Sequence, residues 1–219
     1  MSLPELIRQA CVLEATARKL GNVHPRAAFV DLCYADFVTA ADAIAPVLGH
    51  VTAQPLGERI LAAVRATRAL TGSNVNLGIV LLLAPLSQCD AWADLSKLLA
   101  ETTVGDAAAV YEAIWHAHPC VFGTADEADV STSPRITLTA AMQLAADRDL
   151  IARQYATSFA FVRSGAGLVT IVIILAYWGL LSYSIDLGRF SSVPVWLAMQ
   201  IPNISVLLAA ILPYRRAAF

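Results

Sequence analysis

Residues 71–86 read TGSNVNLGIVLLLAPL and contain the change of pattern that decides the fold. A polar, turn-forming segment is followed without a break by an apolar run that begins at Leu77. Ser and Asn are preferred N-cap residues because their side-chain oxygens accept the free N–H groups of a helix's first turn. Gly72 permits backbone conformations that a side chain excludes. We therefore predict a short, deeply buried helix over residues 77–86, with its N-terminus directed at a polar cavity.

The N-terminus of this predicted helix is a candidate anion site. Free N–H groups and a partial positive charge collect there, and both suit a phosphate or a carboxylate. A capped core helix without any ligand produces the same pattern and is the commoner case. The spacing alone leaves both interpretations open.

The composition divides the chain into two parts. Of the 219 residues, 58% are hydrophobic and 15% are charged, against a usual charged share of about 25%. From Ser164 to Phe219 the charged residues are Asp186, Arg189, Arg215 and Arg216. The net charge of −2 and the lack of a Lys/Arg cluster in the first part argue against nucleic-acid binding, which normally requires a basic face.

The cysteines and histidines do not have metal-ligand spacing. The four cysteines are scattered without a CxxC pair, so core filling is their default interpretation. His116 and His118 are too close for an i, i+4 metal pair, and no third ligand is evident. The N-terminal sequence MSLPELIRQA has no apolar signal core, so we expect the first part of the chain in the reducing cytoplasm.

Apolar periodicity predicts that residues 1–160 are all-α, because strand signals are weak throughout. The first predicted helix runs from Leu3 to about Lys19, with Leu6, Ala10, Leu13 and Ala17 on its buried face. Further helices are predicted over residues 31–48, 58–70, 90–99, 105–116 and 137–160, the last being the longest. Thr102, Thr103 and Val104 with Asp106 are expected to form a cap between the 90–99 and 105–116 helices. Thr137 or Thr139 is expected to cap the 137–160 helix. Residues 123–134 form a polar acidic loop.

Two carboxylates lie at the start of the 31–48 helix. Asp31 and Asp36 are five residues apart, which places them about 140° apart around a helix axis. They cannot closely share a face, but Mg²⁺ takes one or two carboxylates plus phosphate oxygens and could be held by both between helices. Solvated surface carboxylates are the commoner alternative.

Charged residues also crowd the middle of the 137–160 helix. They are Asp147, Arg148, Asp149 and Arg153, of which Asp149 and Arg153 have the i, i+4 spacing of an ion pair. A charged cleft facing the 71–76 segment fits this pattern, and so does an ordinary solvent face.

Three ordered segments together resemble the triphosphoribosyl-dephospho-CoA synthase family. They are EATARKLGNVHP at residues 14–25 with Asp31, Tyr34, Asp36 and Phe37; GSNVNLG at residues 72–78; and AADRDLIARQY at residues 145–155. The resemblance covers residues 1–160 and is closest to the shorter proteins often encoded beside one-carbon metabolism genes. It implies an all-helical domain that joins ATP and dephospho-CoA: the 2′-hydroxyl of dephospho-CoA attacks C1′ of the ATP ribose, and adenine leaves.

The resemblance also implies roles for individual residues. Phosphates would be bound by Lys19, Asn22, His24, Ser73, Asn74, Asn76, Arg148 and Arg153. Mg²⁺ would be held by Asp31 and Asp36, directly or through water. Glu14 or Asp147 would accept the proton of the attacking hydroxyl. In place of the family's Lys-Pro-Gly the chain has Lys19-Leu20-Gly21, which lacks the fixed φ of proline.

The last part of the chain, residues 161–219, is predicted to be a transmembrane helical hairpin. Residues 168–185 and 193–214 are uncharged stretches of 18 and 22 residues, and a membrane helix needs about 20. Basic residues precede and follow the pair, so both termini are predicted to be cytoplasmic, with the protein anchored in the inner membrane. This tail resembles the last two membrane helices of lipopolysaccharide export permeases, which suggests a truncating fusion, genomic or introduced by sequence assembly.

The sequence thus predicts a multi-helix bundle domain followed by a membrane hairpin. The first hypothesis is a membrane-tethered transferase acting on ATP and dephospho-CoA, or a related acceptor, with Mg²⁺. The second is an inactive membrane-anchored remnant of such an enzyme. The third is a permease-derived membrane fragment, although the permease's other helices are absent.

Overall fold

The described part of the chain is helical. A computed structural model describes residues 1–17, 23–50, 53–117 and 127–164, and within these ranges there is no strand, only an isolated antiparallel bridge between His24 and Ala27. The described helices are α1 Leu3–Thr16, α2 Tyr34–Gly49, α3 Leu56–Thr71, α4 Leu77–Ser87, α5 Trp92–Ala100, α6 Val104–Ala117, α7 Leu138–Ala145, α8 Leu150–Ala156 and α9 Ala160–Arg163. The predicted all-α class is confirmed for these residues.

Helix α1 buries a different face from the predicted one. Its buried residues are Ile7, Cys11 and Ala15, whereas Leu6 and Leu13 are 45% and 61% exposed. The two apolar stripes lie side by side on α1, and periodicity alone cannot rank them. The stripe with small side chains is buried because α1 lies very close to α2: a Cβ on Gly49 would be 2.5 Å from Cγ of Pro4.

Helix α2 begins later than predicted. It starts at Tyr34, so Asp31 precedes the helix, and the predicted angle between Asp31 and Asp36 around a shared axis is wrong. The backbone N–H of Cys33 donates to Oδ2 of Asp36 at 2.7 Å. A carboxylate at the third helical position that accepts from the N-cap amide defines a helix start. Asp36 is therefore also a signal for the start of a helix at Tyr34, in addition to its predicted role at Mg²⁺.

Helix α3 lies at the centre of the bundle and packs against α2, α4 and α6. Its start meets the start of α6: a Cβ on Gly57 would be 2.5 Å from the backbone oxygen of Asp106. Asp106 is 5% exposed and accepts hydrogen bonds from the N–H of Gly57 and from the N–H and hydroxyl of Thr103, at 2.8, 2.8 and 2.7 Å. The predicted cap is confirmed, and it also joins α6 to α3.

The predicted helix over residues 137–160 is wrong in its length, because the structure has two short helices there. Thr137 caps α7 as predicted, with its side chain accepting from Ala140 N–H. The chain then breaks after α7, and Asp149 starts α8 by accepting from Ala152 N–H at 2.7 Å. Helix α8 ends at Ala156, and positive φ angles at Ser158 (48°) and Phe159 (58°) prevent its continuation.

The predicted pair between Asp149 and Arg153 is also wrong. Arg153 donates to the carbonyls of Ala146 and Asp147 at 2.9 and 3.2 Å. It therefore satisfies backbone groups at the break after α7, while Asp149 is engaged at the start of α8. Short-range capping competes with an i, i+4 ion pair that is worth only about 0.2–0.5 kcal/mol, and capping prevails here.

Helices α1–α8 belong to one compact unit, Met1–Ala160, and the chain from Phe161 belongs to another. Among residues 1–17, 23–50, 53–117 and 127–164, no helix has the length and apolarity that crossing a bilayer requires. The predicted membrane spans, residues 168–185 and 193–214, lie outside these ranges. The hairpin and the 161–219 domain stay predictions.

Candidate functional site

The segment between α3 and α4 turns sharply at Gly72. This residue has φ +67° and ends α3 in the left-handed region, where only glycine is free of a Cβ penalty. Its N–H donates to the carbonyl of Arg68 at 3.0 Å, and the Arg68 guanidinium donates to the carbonyl of Gly72. The hydroxyl of Thr71 accepts from Ser73 N–H at 3.3 Å. The polar residues before α4 therefore build a compact turn between two helices.

The start of α4 is only partly capped. Oδ1 of Asn74 accepts from Leu77 N–H at 3.2 Å, but the N-cap residue Asn76 makes no side-chain capping hydrogen bond. Asn76 is 7% exposed, and its Nδ2 has no partner among the described residues. A buried N–H donor without a partner costs roughly 1–3 kcal/mol. The predicted short helix is confirmed, and its N-terminus combines unpaired amides with an unpaired side-chain donor.

A cavity of about 600 Å³ begins at this helix end. The first two residues of α4, Leu77 and Gly78, line it, together with residues from α6, α7, α8, the 127–130 segment and the turn between α7 and α8. Its walls are mainly apolar, and its charged lining residues are Glu127, Asp129, Arg148 and Asp149. Arg148 and Asp149 therefore line the same cavity as the start of α4, which was one of the two alternatives for this charged segment. The predicted polar character of the cavity is wrong, because apolar side chains form most of its walls.

Tyr155 fixes this arrangement from the buried side of α8. Its hydroxyl donates to the carbonyl of Leu81 at 2.7 Å, and its ring lies 5.6 Å from that of Phe159. Burial raises the pKa of Tyr155 far above its ordinary value, so the hydroxyl stays a donor. Since Leu81 belongs to α4, this bond links α8 to the helix whose N-terminus forms part of the site.

The residues of the first motif lie on and between α1 and α2. Glu14 is exposed on α1, and Asp31 is exposed before α2. His24 is half-buried in a tight turn, where its Nδ1 accepts from Arg26 N–H at 3.2 Å. The hydroxyls of Thr16 and Tyr34 lie 2.9 Å apart and link the two helices. Lys19 and Asn22 lie outside the described residues.

Comparison with known proteins assigns the family. The model of the CitG family, described as ATP:dephospho-CoA triphosphoribosyl transferase, matches residues 1–170. The chain belongs to this family. The same comparisons found no matching curated protein and no matching solved structure. They do not support the resemblance of the tail to a permease.

The family match runs ten residues past the predicted boundary at residue 160. It includes all three motif segments, and with them every predicted site residue. The structure places the second and third motifs of the CitG family member around one cavity: Leu77 and Gly78 come from one, and Arg148 from the other. Of the predicted site residues that the structure describes, Arg148 is the one that lines this cavity.

The described residues contain no group of three or more His, Cys, Asp or Glu side chains placed to hold a metal ion. Mg²⁺ bound with a nucleotide needs only one or two protein carboxylates, because phosphates and water complete its coordination. Asp31 and Asp36 are compatible with that role: Asp31 is exposed, and only Oδ2 of Asp36 is used by the α2 cap. Their assignment to Mg²⁺ stays a prediction.

Some cavity residues were not singled out from the sequence. Tyr111 on α6 lines the cavity and donates its hydroxyl to the carbonyl of Ala128 at 2.6 Å. Burial, with a smaller effect from Asp129, raises the pKa of Tyr111. Glu127 and Asp129 were recognised only as part of an acidic loop. The available signal was the three acids at residues 126, 127 and 129 between two helices, and nothing in the spacing showed which way the loop folds.

Proposed function

We propose that this CitG family member moves the 5-triphosphoribosyl group of ATP to the 2′-hydroxyl of dephospho-CoA. In this reaction the C1′–N9 bond of ATP breaks, a C1′–oxygen bond forms, and adenine leaves with the bonding electron pair. The hydroxyl proton passes to a protein base and then to adenine or solvent. The observation that carries the proposal is the family match over residues 1–170.

The triphosphate is assigned to the start of α4. Its unpaired amides and the unpartnered Nδ2 of Asn76 supply N–H donors at the positive end of the helix. Asn74 holds the first turn in place through Leu77 N–H. Ser73 and Lys19 complete the predicted phosphate ligands, with His24 and Asn22 contributed by the first motif.

The remaining motif residues act at the reacting end of the substrates. Glu14 and Asp147 are exposed carboxylates and are the candidates for the general base. Arg148 lines the cavity and is a candidate for binding a phosphate at its edge. Arg153 also keeps this predicted role, through the Nη1 that its two backbone contacts leave available.

Bound Mg²⁺, held by Asp31 and Asp36, would offset the negative charge of the triphosphate. The protein's own task is to hold the ribose and the acceptor hydroxyl in line, since orientation of two bound reactants is a large part of such catalysis. Donors fixed at the start of α4 hold the triphosphate, and with it the attached ribose, in a defined position.

The direct test incubates the full-length protein with ATP, dephospho-CoA and Mg²⁺ and measures adenine by chromatography. Adenine and the triphosphoribosylated product should appear in equal amounts, and only when both substrates are present. If folded protein yields no adenine, the proposal is contradicted, and the alternative of an inactive remnant of such an enzyme is favoured.

A variant pair tests the assignment of the phosphate site. Asn76→Asp keeps a good N-cap residue but replaces an amide donor with a carboxylate. Hydrogen bonds to charged groups are worth about 1.5–3 kcal/mol, so we expect kcat/KM for ATP to fall by roughly 10- to 150-fold. Gln9→Glu, an exposed amide-to-acid change on α1, is the matched control and should leave it unchanged. Equal rates in the two variants would remove Asn76 from the site.

We also propose that residues 168–185 and 193–214 anchor the protein in the inner membrane, with the catalytic domain in the cytoplasm. The support is the length of the two uncharged stretches. The full-length chain should then remain in the membrane fraction after extraction with alkaline carbonate. Release into the soluble fraction would contradict the anchor without affecting the proposed reaction.

A further inference from the structure

The cavity beside α4 has a charge that does not suit a phosphate chain. Of its four charged lining residues, three are carboxylates (Glu127, Asp129 and Asp149) and one is a guanidinium (Arg148). An excess of two negative charges at close range repels a triphosphate or pyrophosphate. The interior of this cavity must therefore receive a different part of the substrates from the part bound at the α4 N-terminus.

The walls of the cavity indicate an uncharged and partly apolar occupant. They are formed by aliphatic side chains and one methionine, among them Leu81, Ile114, Met142 and Ile151. The charged lining residues are largely exposed and so belong to the rim of the cavity, and three of the four are carboxylates, which are hydrogen-bond acceptors. Pockets of this kind bind elongated organic groups and orient them with a small number of polar contacts. Carboxylates at the rim suit a neutral ligand that carries N–H and O–H donors.

The volume of the cavity distinguishes between the neutral parts of the two substrates. An adenine base fills only a small part of about 600 Å³, and a largely empty apolar cavity loses packing contacts. The pantetheine arm of dephospho-CoA is longer. It carries a branched hydrocarbon segment for the apolar walls, and two amides and a hydroxyl for the acceptors at the rim.

We propose that this cavity binds the pantetheine arm of the acceptor, with the acceptor's pyrophosphate outside the cavity. The inference rests on the proposed function, because that function supplies dephospho-CoA as the acceptor. The cavity then determines acceptor specificity: molecules that carry the arm enter, and nucleotides without it do not.

Ala145→Phe tests this assignment. Ala145 lines the cavity from the last turn of α7 and is half-buried, so a larger side chain enters the cavity without displacing the core. The KM for dephospho-CoA should rise at least about tenfold, well above any rise in the KM for ATP. Ala108→Phe, at an exposed position of α6 outside the cavity lining, is the matched control and should leave both constants unchanged. A larger rise for ATP, or no change for either substrate, overturns the proposal.

Binding of free pantetheine separates this inference from the proposed reaction. Saturation-transfer NMR on the full-length protein should detect pantetheine, and Ala145→Phe should abolish the signal while Ala108→Phe retains it. If the wild type releases no adenine but still binds pantetheine in this way, the reaction fails and the cavity assignment stands. If adenine is released but pantetheine does not bind, or binds equally to Ala145→Phe, the cavity assignment fails and the reaction stands.

Discussion

Replacing Asp106 with alanine should destabilise the domain far more than an ordinary helix cap would. The carboxylate accepts from three donors at the junction of α3 and α6, and it is almost completely buried. Loss of its cap on α6 costs about 0.5–2 kcal/mol. The buried N–H of Gly57 is also left without a partner, at about 1–3 kcal/mol. We expect the free energy of unfolding of Asp106→Ala to fall by about 2–4 kcal/mol, a large part of a usual total of about 5–15 kcal/mol.

The assay is urea unfolding of the full-length chain in a mild detergent, followed by far-UV circular dichroism. Asp94→Ala is the matched control, since Asp94 occupies the same position of α5 and accepts one exposed bond, from Ala91 N–H at 3.1 Å. Its loss should cost no more than about 1 kcal/mol. If the two variants lose stability equally, the link between α3 and α6 carries no special weight and the reasoning is refuted. Asp106→Asn, which keeps one acceptor oxygen, should fall between the wild type and Asp106→Ala.

Three further outcomes follow from close contacts and burial. Gly57→Ala should lower the free energy of unfolding by at least about 2 kcal/mol in the same assay, because its Cβ would lie 2.5–2.9 Å from backbone atoms of α6; a neutral substitution would show that the two helix starts can separate. Tyr155→Phe should lower the free energy of unfolding by about 1 kcal/mol, because the hydrogen bond to Leu81 is lost. The α8 amides should also become less protected from hydrogen exchange, and unchanged exchange would contradict the anchoring role. Burial raises the pKa of Cys11 to about 11, so iodoacetamide at pH 8 should modify exposed Cys33 well before Cys11. Equal labelling of both thiols refutes the burial argument. Because the thiol of the unfolded chain loses its proton at lower pH, the Cys11 contribution to the free energy of unfolding should decline as pH rises from about 9 to about 11.

The helices and their caps follow from the sequence wherever the signal is local. Thr103 with Asp106, and Thr137, cap helices because a capping side chain and its backbone partner lie within four consecutive residues. The start of α4 is equally local, since Asn74 and the apolar run after it define the change of pattern. These features depend on neighbours in the chain, so one sequence contains the information needed to locate them.

Other features could not be predicted because they depend on distant contacts. On α1 the sequence offers two apolar stripes, and the choice of Cys11 and Ala15 over Leu13 is made by the close approach of α2. The cavity shows the same limit. Tyr111 and Asp129 meet residues of α4 and α7 that are far away in the chain, and only the three-dimensional packing of α6 brings them there.

The break between α7 and α8 links the failed prediction to the site. In one continuous helix the N–H of Ala152 would bond to the carbonyl of Arg148, and Asp149 would have no helix start to cap. In the structure Asp149 begins α8 by accepting from Ala152 N–H, Arg153 donates to the carbonyls of Ala146 and Asp147, and both Arg148 and Asp149 line the cavity. Charges that would weaken a long amphipathic helix therefore stabilise a turn. The crowding of four charges in the seven residues 147–153 is better understood as the mark of that turn than as a feature of a helix face.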